Sequence, residues 1–381
     1  MHTTGLAAEP IERLYEGGLG DALAEARRRT LAIYAHLDLE SLRVPCIPTV
    51  NPPLWELAHV AWFQEFWCLR GGNATAASML ERSDALFNSS TVPHDSRWHL
   101  DYPPASDLFG YIGDTLDRTL EALARTADEE RYFFHLALLH EDMHGEALVM
   151  TLQTLGLPAP RVGASEPSRS AIPAARDVRF DGGEFIQGTR RAPFSFDNEM
   201  QAHAVKVAPF AIATRCVTQG EFAAYVEDTS APAPGYWRRE GSSWLARRFD
   251  RWQAIEPDEP MVHVELPEAL AYCRWAGRRL PTEREWEFAA RNGGVEDRYT
   301  RGDLTPGGVW EWTSSAFEPY PGFSPGPYRD YSEPWFHSHF VLRGGSFVTR
   351  SRIAHNRFRN FYLPERADVF AGFRTCALEA R

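Results

Sequence analysis

Over four long segments of the first 160 residues, apolar side chains return every three or four positions, the spacing that gives a helix one buried face. The first segment covers residues 9 to about 39, with Leu14, Leu19, Leu23, Ala26, Leu31 and Tyr34 as its stripe and Gly17, Gly18 and Gly20 as interruptions. The second begins at Asn51-Pro52-Pro53, which supplies an N-cap followed by prolines at the first helical positions, and stops at Gly71-Gly72. On it His59 shares an apolar face with Trp55, Trp62, Phe63 and Phe66, while Glu56, Gln64 and Glu65 are expected to face solvent. Residues 73–104 are irregular. A third helix, capped by Ser106 and Asp107, is expected to about residue 126, and a fourth over 128–155, where Gly156, Pro158 and Pro160 stop it. Four such helices predict an up-and-down bundle with one long connection.

Residues 161–175, rich in Pro, Ser, Ala and Gly, predict a linker between a first domain over 1–160 and a second over 176–381. In the second domain the periodic segments give way to short apolar runs among many Gly, Pro, Trp and Tyr residues, which predicts short strands in an irregular frame. Helices are expected there at 217–226, 267–276 and 282–291, the last opened by the capping-box sequence Thr282-Glu283-Arg284-Glu285. The chain as a whole is therefore expected to be α+β.

Candidate chemistry concentrates at His140-Glu141-Asp142-Met143-His144. Two histidines four residues apart stack on one helix face, close enough to share a divalent transition metal. Phe133, Leu136, Ala137, Ala147 and Leu148 recur on that face and turn it towards the bundle core. The same letters match the zincin pattern HExxH, which in one large class needs a glutamate about twenty residues onward on its own helix. Glu166 is the acid near that distance, and it falls in the loop-like sequence 162–168, so the protease reading is the weaker one. His59 supplies a third nitrogen from a second helix, giving His59, His140 and His144 as the candidate metal ligands.

Composition narrows the setting. A content of 44% hydrophobic and 13% aromatic residues is that of a globular chain, and a net charge of −12 without a basic block argues against nucleic acid or an anionic membrane surface as partner. Five cysteines, odd in number and never in a CxxC pair, suit a reducing compartment, and no leader or spanning run is visible; a cytoplasmic location is expected.

Beyond residue 176 the motifs Gly183-Glu184-Phe185-Ile186-Gln187-Gly188, Leu280-Pro281-Thr282-Glu283-Arg284-Glu285-Trp286, Gly308-Val309-Trp310-Glu311-Trp312-Thr313, Leu342-Arg343-Gly344-Gly345-Ser346-Phe347 and Ala371-Gly372-Phe373-Arg374 occur in the order found in formylglycine-generating enzymes, which this half resembles. The resemblance implies a C-type-lectin-like fold. The copper-binding cysteines of those enzymes are matched by Thr349 and Ala354, so their oxidase activity is not expected. The first half, through Leu57-Ala58-His59-Val60-Ala61-Trp62-Phe63 and the 140–144 pair, resembles the DinB-like bundle. Together the halves resemble the non-haem iron sulfoxide synthases of ergothioneine and ovothiol biosynthesis, in which three bundle histidines hold Fe(II), the lectin-like domain completes the pocket, and sulfur is joined to the imidazole of hercynine using O₂.

That resemblance implies that Asn360 and Phe361 contact the betaine of hercynine, with Phe361 in place of the family's more usual Trp, and that a tyrosine donates a proton: Tyr328 first, then Tyr331 and Tyr320. A quaternary ammonium cannot donate a hydrogen bond and is held by aromatic faces, though the same aromatics also suit ordinary core packing. Relatives that take γ-glutamylcysteine carry an arginine pair in the loop matched by residues 91–97, where Arg97 alone remains, and an aspartate at the position of Tyr362; Arg366 matches a family arginine. Without a bidentate arginine a donor carboxylate lacks its partner. A neutral selenosugar is therefore the preferred donor, making a selenoneine synthase the first expectation and a sulfoxide synthase using a thiol such as γ-glutamylcysteine or cysteine the second. The segment between Arg291 and Gly308 is also shorter than in lectin-like relatives.

Overall fold

A computed structural model describes residues 17–40, 42–162, 175–189, 194–292 and 308–378. The start of the first expected helix, the linker with Glu166, and the shortened 292–307 segment lie largely outside the described residues. The described residues form two compact units that divide between Thr151 and Leu152, the first also taking in Pro160–Val162.

The first unit is helical: α1 (Leu19–Tyr34), α2 (Pro53–Gln64), a short α3 (Ser83–Phe87), α4 (Ala105–Leu123) and α5 (Tyr132–Leu155), whose last turn counts with the second unit. One turn of π-helix, Glu65–Leu69, continues α2 towards Gly71 and Gly72. Leu19, Leu23 and Ala26 of α1 pack with Leu123 of α4 and with Phe134 and Leu138 of α5 as an apolar core.

Several local expectations are corrected. Pro52, not Asn51, is the N-cap of α2, and Pro104 is the N-cap of α4, which leaves Ser106 and Asp107 inside its first turn, where an acid still meets the positive end of the helix dipole. The 73–104 stretch is less irregular than expected, since it holds α3 and a 3-10 turn at His94–Trp98; elements of five residues are too short to show a period. The fourth helix starts at Tyr132, after a separate 3-10 turn at Asp128–Glu130, and Gly156 follows it at φ +67, a conformation open to glycine.

The largest correction concerns α2. Glu56, Gln64 and Glu65 are buried, because this helix is covered on every side. Each finds a distant partner instead of water: Gln64 accepts from Arg27, and Glu65 accepts from Tyr111 and Ser78. Arg27, itself buried, also pairs with Glu141 at 2.8 Å and donates to the Ile112 carbonyl, so one guanidinium joins α1, α2, α4 and α5.

The second unit carries short strands. In chain order these are β1 (Asp177–Phe180), β2 (Gly183–Gln187), β3 (His203–Val207), β4 (Phe210–Ala213), β5 (Trp237–Glu240), β6 (Ser243–Arg248), β7 (Arg251–Ala254), β8 (Arg278–Arg279), β9 (Trp310–Ala316), β10 (Phe340–Gly344), β11 (Asn360–Tyr362), β12 (Ala371–Gly372) and β13 (Cys376–Ala377). They assemble as two four-stranded sheets, β1-β4-β13-β8 and β11-β10-β9-β12, with the β2-β3 pair and the β5-β6-β7 meander beside them. Three helices, α6 (Gln219–Thr229), α7 (Leu266–Trp275) and α8 (Glu283–Asn292), fall within a residue or three of expectation. The capping box ahead of α8 forms: Thr282 Oγ1 accepts from the Glu285 N–H, and the Glu285 carboxylate accepts from the Thr282 N–H.

The motifs of this half are parts of a buried ionic frame. Glu283 and Glu287 on α8 pair with Arg359 and Arg343, and Glu311 on β9 pairs with Arg374, each at 2.9 Å or less. Gly372 lies against the Met261 carbonyl, where a side chain would collide. Among the described helices none is long and apolar enough to cross a membrane.

A buried ion pair that loses one member leaves the other charge without compensation. Arg27→Met is therefore expected to lower the unfolding free energy by about 3–5 kcal/mol, with most of it recovered in Arg27→Met/Glu141→Leu. Urea unfolding of both variants checks this; equal losses in the single and double variants would contradict it.

Candidate metal centre

Helix α2 brings His59, and α5 brings His140 and His144, to one place in the first unit. Each offers a ring nitrogen, and the three nitrogens lie within 4.8 Å of one another. Ring centroids are 5.2 Å apart for His59 and His140, 4.9 Å for His59 and His144, and 4.4 Å for His140 and His144. The four-residue spacing on α5 accounts for the closest of these pairs.

Packing fixes each ring. Trp55, one turn before His59, stacks on it at 4.9 Å and 5°, and its indole N–H donates to the Leu86 carbonyl. Phe63 lies flat against His140, with centroids 3.5 Å apart. His59 Nδ1 is 2.8 Å from the Phe87 carbonyl, and His144 Nδ1 is 2.8 Å from a carboxylate oxygen of Glu56. Both acceptors require Nδ1–H, which leaves Nε2 of these two rings as the lone pair available to a metal.

His59 and His140 are buried, and His144 keeps a partly exposed side chain. Burial, then the neighbouring His144, holds the His59 imidazole well below its ordinary pKa; burial, then His144 and His59, does the same for His140. Both rings are therefore neutral near neutral pH, the form in which an imidazole can bind a metal. A set of imidazoles with neither thiolate nor carboxylate fits a divalent transition metal better than calcium or magnesium.

The residues assigned by resemblance to substrate lie in the second unit. On β11, the side-chain oxygen of Asn360 accepts from the Phe361 N–H at 2.9 Å. Phe361 stacks one face on Phe317, with centroids 4.1 Å apart, and meets Tyr331 and His339 at 5.9 Å, a small aromatic cluster. Tyr331 stacks on Phe196, and Tyr328, the first choice as proton donor, sits 6.2 Å from Tyr331 and one ring further from Phe361. The phenols of both are raised above their ordinary range by burial, helped at Tyr328 by Asp330 and at Tyr331 by Glu199. Tyr320 is buried under the Arg359 guanidinium. Arg366 lies over the Tyr362 ring at 5.0 Å and already holds the Asp368 carboxylate through two hydrogen bonds.

The 91–97 loop makes its contacts within the first unit. His94 sits between the Val50 carbonyl and Asp95, and Arg97 donates to Asn51 at 2.7 Å and lies over the Trp55 ring at 4.0 Å. Glu56 is the residue that the sequence reading missed, because a charged side chain was assigned to solvent. Its position was a usable signal: three residues before His59 it occupies the same helix face.

Comparison with known proteins adds two domain families. Residues 22–153 match the DinB superfamily, and 163–306 with 304–379 match the sulfatase-modifying factor enzyme 1-like domain. The chain is 32% identical to a hercynine oxygenase of Mycolicibacterium thermoresistibile, over 93% of this chain and 94% of that one. A hercynine oxygenase of Mycolicibacterium smegmatis is also 32% identical, over 93% and 97%. The formylglycine-generating enzyme of Streptomyces coelicolor is 31% identical, over 58% of this chain and 96% of that one.

Buried neutral histidines give the fold a pH dependence. Burial lowers His135 and His263 to about 4, so between that value and the unfolded one near 6.5 the unfolded chain binds more protons than the folded one. Their stabilising effect is complete above pH 6.5 and is lost on acidification. Metal-free protein at pH 5 is expected to lose on the order of 2 kcal/mol per such histidine, and His135→Phe to remove that residue's share. Urea unfolding at pH 7 and pH 5 measures it, and stability that stays flat over this range would contradict it.

Proposed function

The chain belongs to the family of the hercynine oxygenases, and from that membership we propose that it is an O₂-dependent non-haem iron enzyme joining a sulfur donor to the imidazole of hercynine. The observation that carries the reading is the convergence of His59, His140 and His144 within 4.8 Å, on helices that match the DinB superfamily. Iron would be held by these three side chains, and Fe(II) there would supply the centre at which O₂ is activated and the two substrates are brought together.

The chain's own residues supply the rest. Asn360 and the face of Phe361 turned from Phe317 would meet the betaine, whose trimethylammonium is attracted by ring quadrupoles. Tyr328, with Tyr331 as the nearer neighbour of Phe361, would donate the proton; a phenol raised by burial keeps its proton until it is needed. Tyr362 and Arg366 would face the donor.

The similarity to hercynine oxygenases puts the sulfur-joining reading ahead of the selenium-joining one preferred from the sequence. One observation keeps a neutral selenosugar as the second reading. Arg97, the last arginine of the 91–97 loop, is engaged with Asn51 and Trp55, and Arg366 is engaged with Asp368, so neither stands ready for a donor carboxylate.

Incubation with Fe(II), O₂ and hercynine, offering γ-glutamylcysteine, cysteine and a selenosugar in competition, decides by mass spectrometry. A sulfur adduct is expected, reduced in His140→Ala by more than the roughly 10- to 100-fold that loss of a residue supporting a ligand costs. A selenium adduct alone would establish the second reading, and no adduct with any donor would overturn both.

A further inference from the structure

We propose that Glu56 is a positioning residue of the three-histidine centre: its carboxylate orients His144 and offsets part of the charge of the metal. This rests on the reading of His59, His140 and His144 as ligands. Glu56 is 2% exposed, on a helix buried along nearly its whole length. An acid in such a place costs stability unless its oxygens are engaged. One oxygen is 2.8 Å from His144 Nδ1, and the other accepts from the Asn51 amide at 3.5 Å.

The contacts continue past Glu56. Asn51 accepts from Arg97 at 2.7 Å, the Arg97 guanidinium lies over Trp55 at 4.0 Å, and Trp55 stacks on His59 at 4.9 Å. A continuous series of side chains thus runs from one candidate ligand, His144, to another, His59, without passing through the metal position. The Arg97 guanidinium is near enough to Glu56 for their charges to attract each other.

The two supported rings differ in the charge behind them. His59 gives its Nδ1–H to a backbone carbonyl, a neutral acceptor, and His144 gives its Nδ1–H to a carboxylate. Three neutral imidazoles leave both charges of a divalent ion uncompensated. Glu56 is then an anion one hydrogen bond away, making His144 the more strongly donating ligand and favouring the higher oxidation state of the ion. A merely structural acid would stabilise the fold and leave both metal affinity and potential alone.

The test is anaerobic Fe(II) titration of the full chain against a chromophoric chelator, with the Fe(III)/Fe(II) potential measured on the same samples. Glu56→Ala is expected to lose roughly 10- to 100-fold in Fe(II) affinity. Glu56→Gln keeps the shape and a carbonyl acceptor while removing the charge; an intermediate loss and an upward shift in potential are expected, with metal-free unfolding close to that of the unsubstituted chain. If Glu56→Ala does not fold, Glu56→Gln carries the test. Unchanged affinity and potential in Glu56→Gln would overturn the role of its charge, and unchanged affinity in a folded Glu56→Ala would overturn the role of the residue. Failure of the unsubstituted chain to bind Fe(II) would overturn the three-histidine reading itself, and is told apart by that control.

Discussion

Charge removed from water must be paired, and both units of this chain are organised around meeting that demand. In the first, Arg27 reaches Glu141, Gln64 and the Ile112 carbonyl from a position 3% exposed. In the second, Arg343, Arg359 and Arg374 are buried against Glu287, Glu283 and Glu311. Such pairs add little stability compared with apolar residues of equal volume, but breaking one is costly, so each pins the elements that contribute to it. The three-histidine cluster follows the same rule on a smaller scale. His59 and His140 are kept neutral by burial, and the acid behind His144 is engaged through both oxygens.

This constraint also explains what the sequence showed and what it hid. Long helices with one apolar face were readable because their signal is local, and so was the pairing of His140 with His144 on α5. The capping box at Thr282 was readable for the same reason, its two members being three residues apart. Glu56, Gln64 and Glu65 were misassigned to solvent because their partners His144, Arg27 and Tyr111 are 88, 37 and 46 residues away. Periodicity ranks a glutamate as outward-facing and has no means of seeing a distant histidine. The short elements of 73–104 were missed because five residues do not complete two helical turns.

The motifs of the second half acquire a physical meaning in the same way. Arg343 of the Arg-Gly-Gly-Ser motif, Glu311 between Trp310 and Trp312, and Arg374 at the end of Gly-Phe-Arg are members of the buried ion pairs, and Gly372 leaves room for a neighbouring carbonyl. They mark a frame, and a frame is shared by proteins of different chemistry. The chemistry has to be read from other residues, first among them the three candidate ligands of the helical unit.

The proposed chemistry requires iron held by those three imidazoles. The most direct test is metal analysis of anaerobically purified protein, combined with X-ray absorption at the iron edge to count imidazole ligands. About one iron per chain, with a shell containing three imidazole nitrogens, is the predicted result. Protein that takes up no iron, or iron whose ligand shell is unchanged when His59, His140 and His144 are replaced, would contradict it.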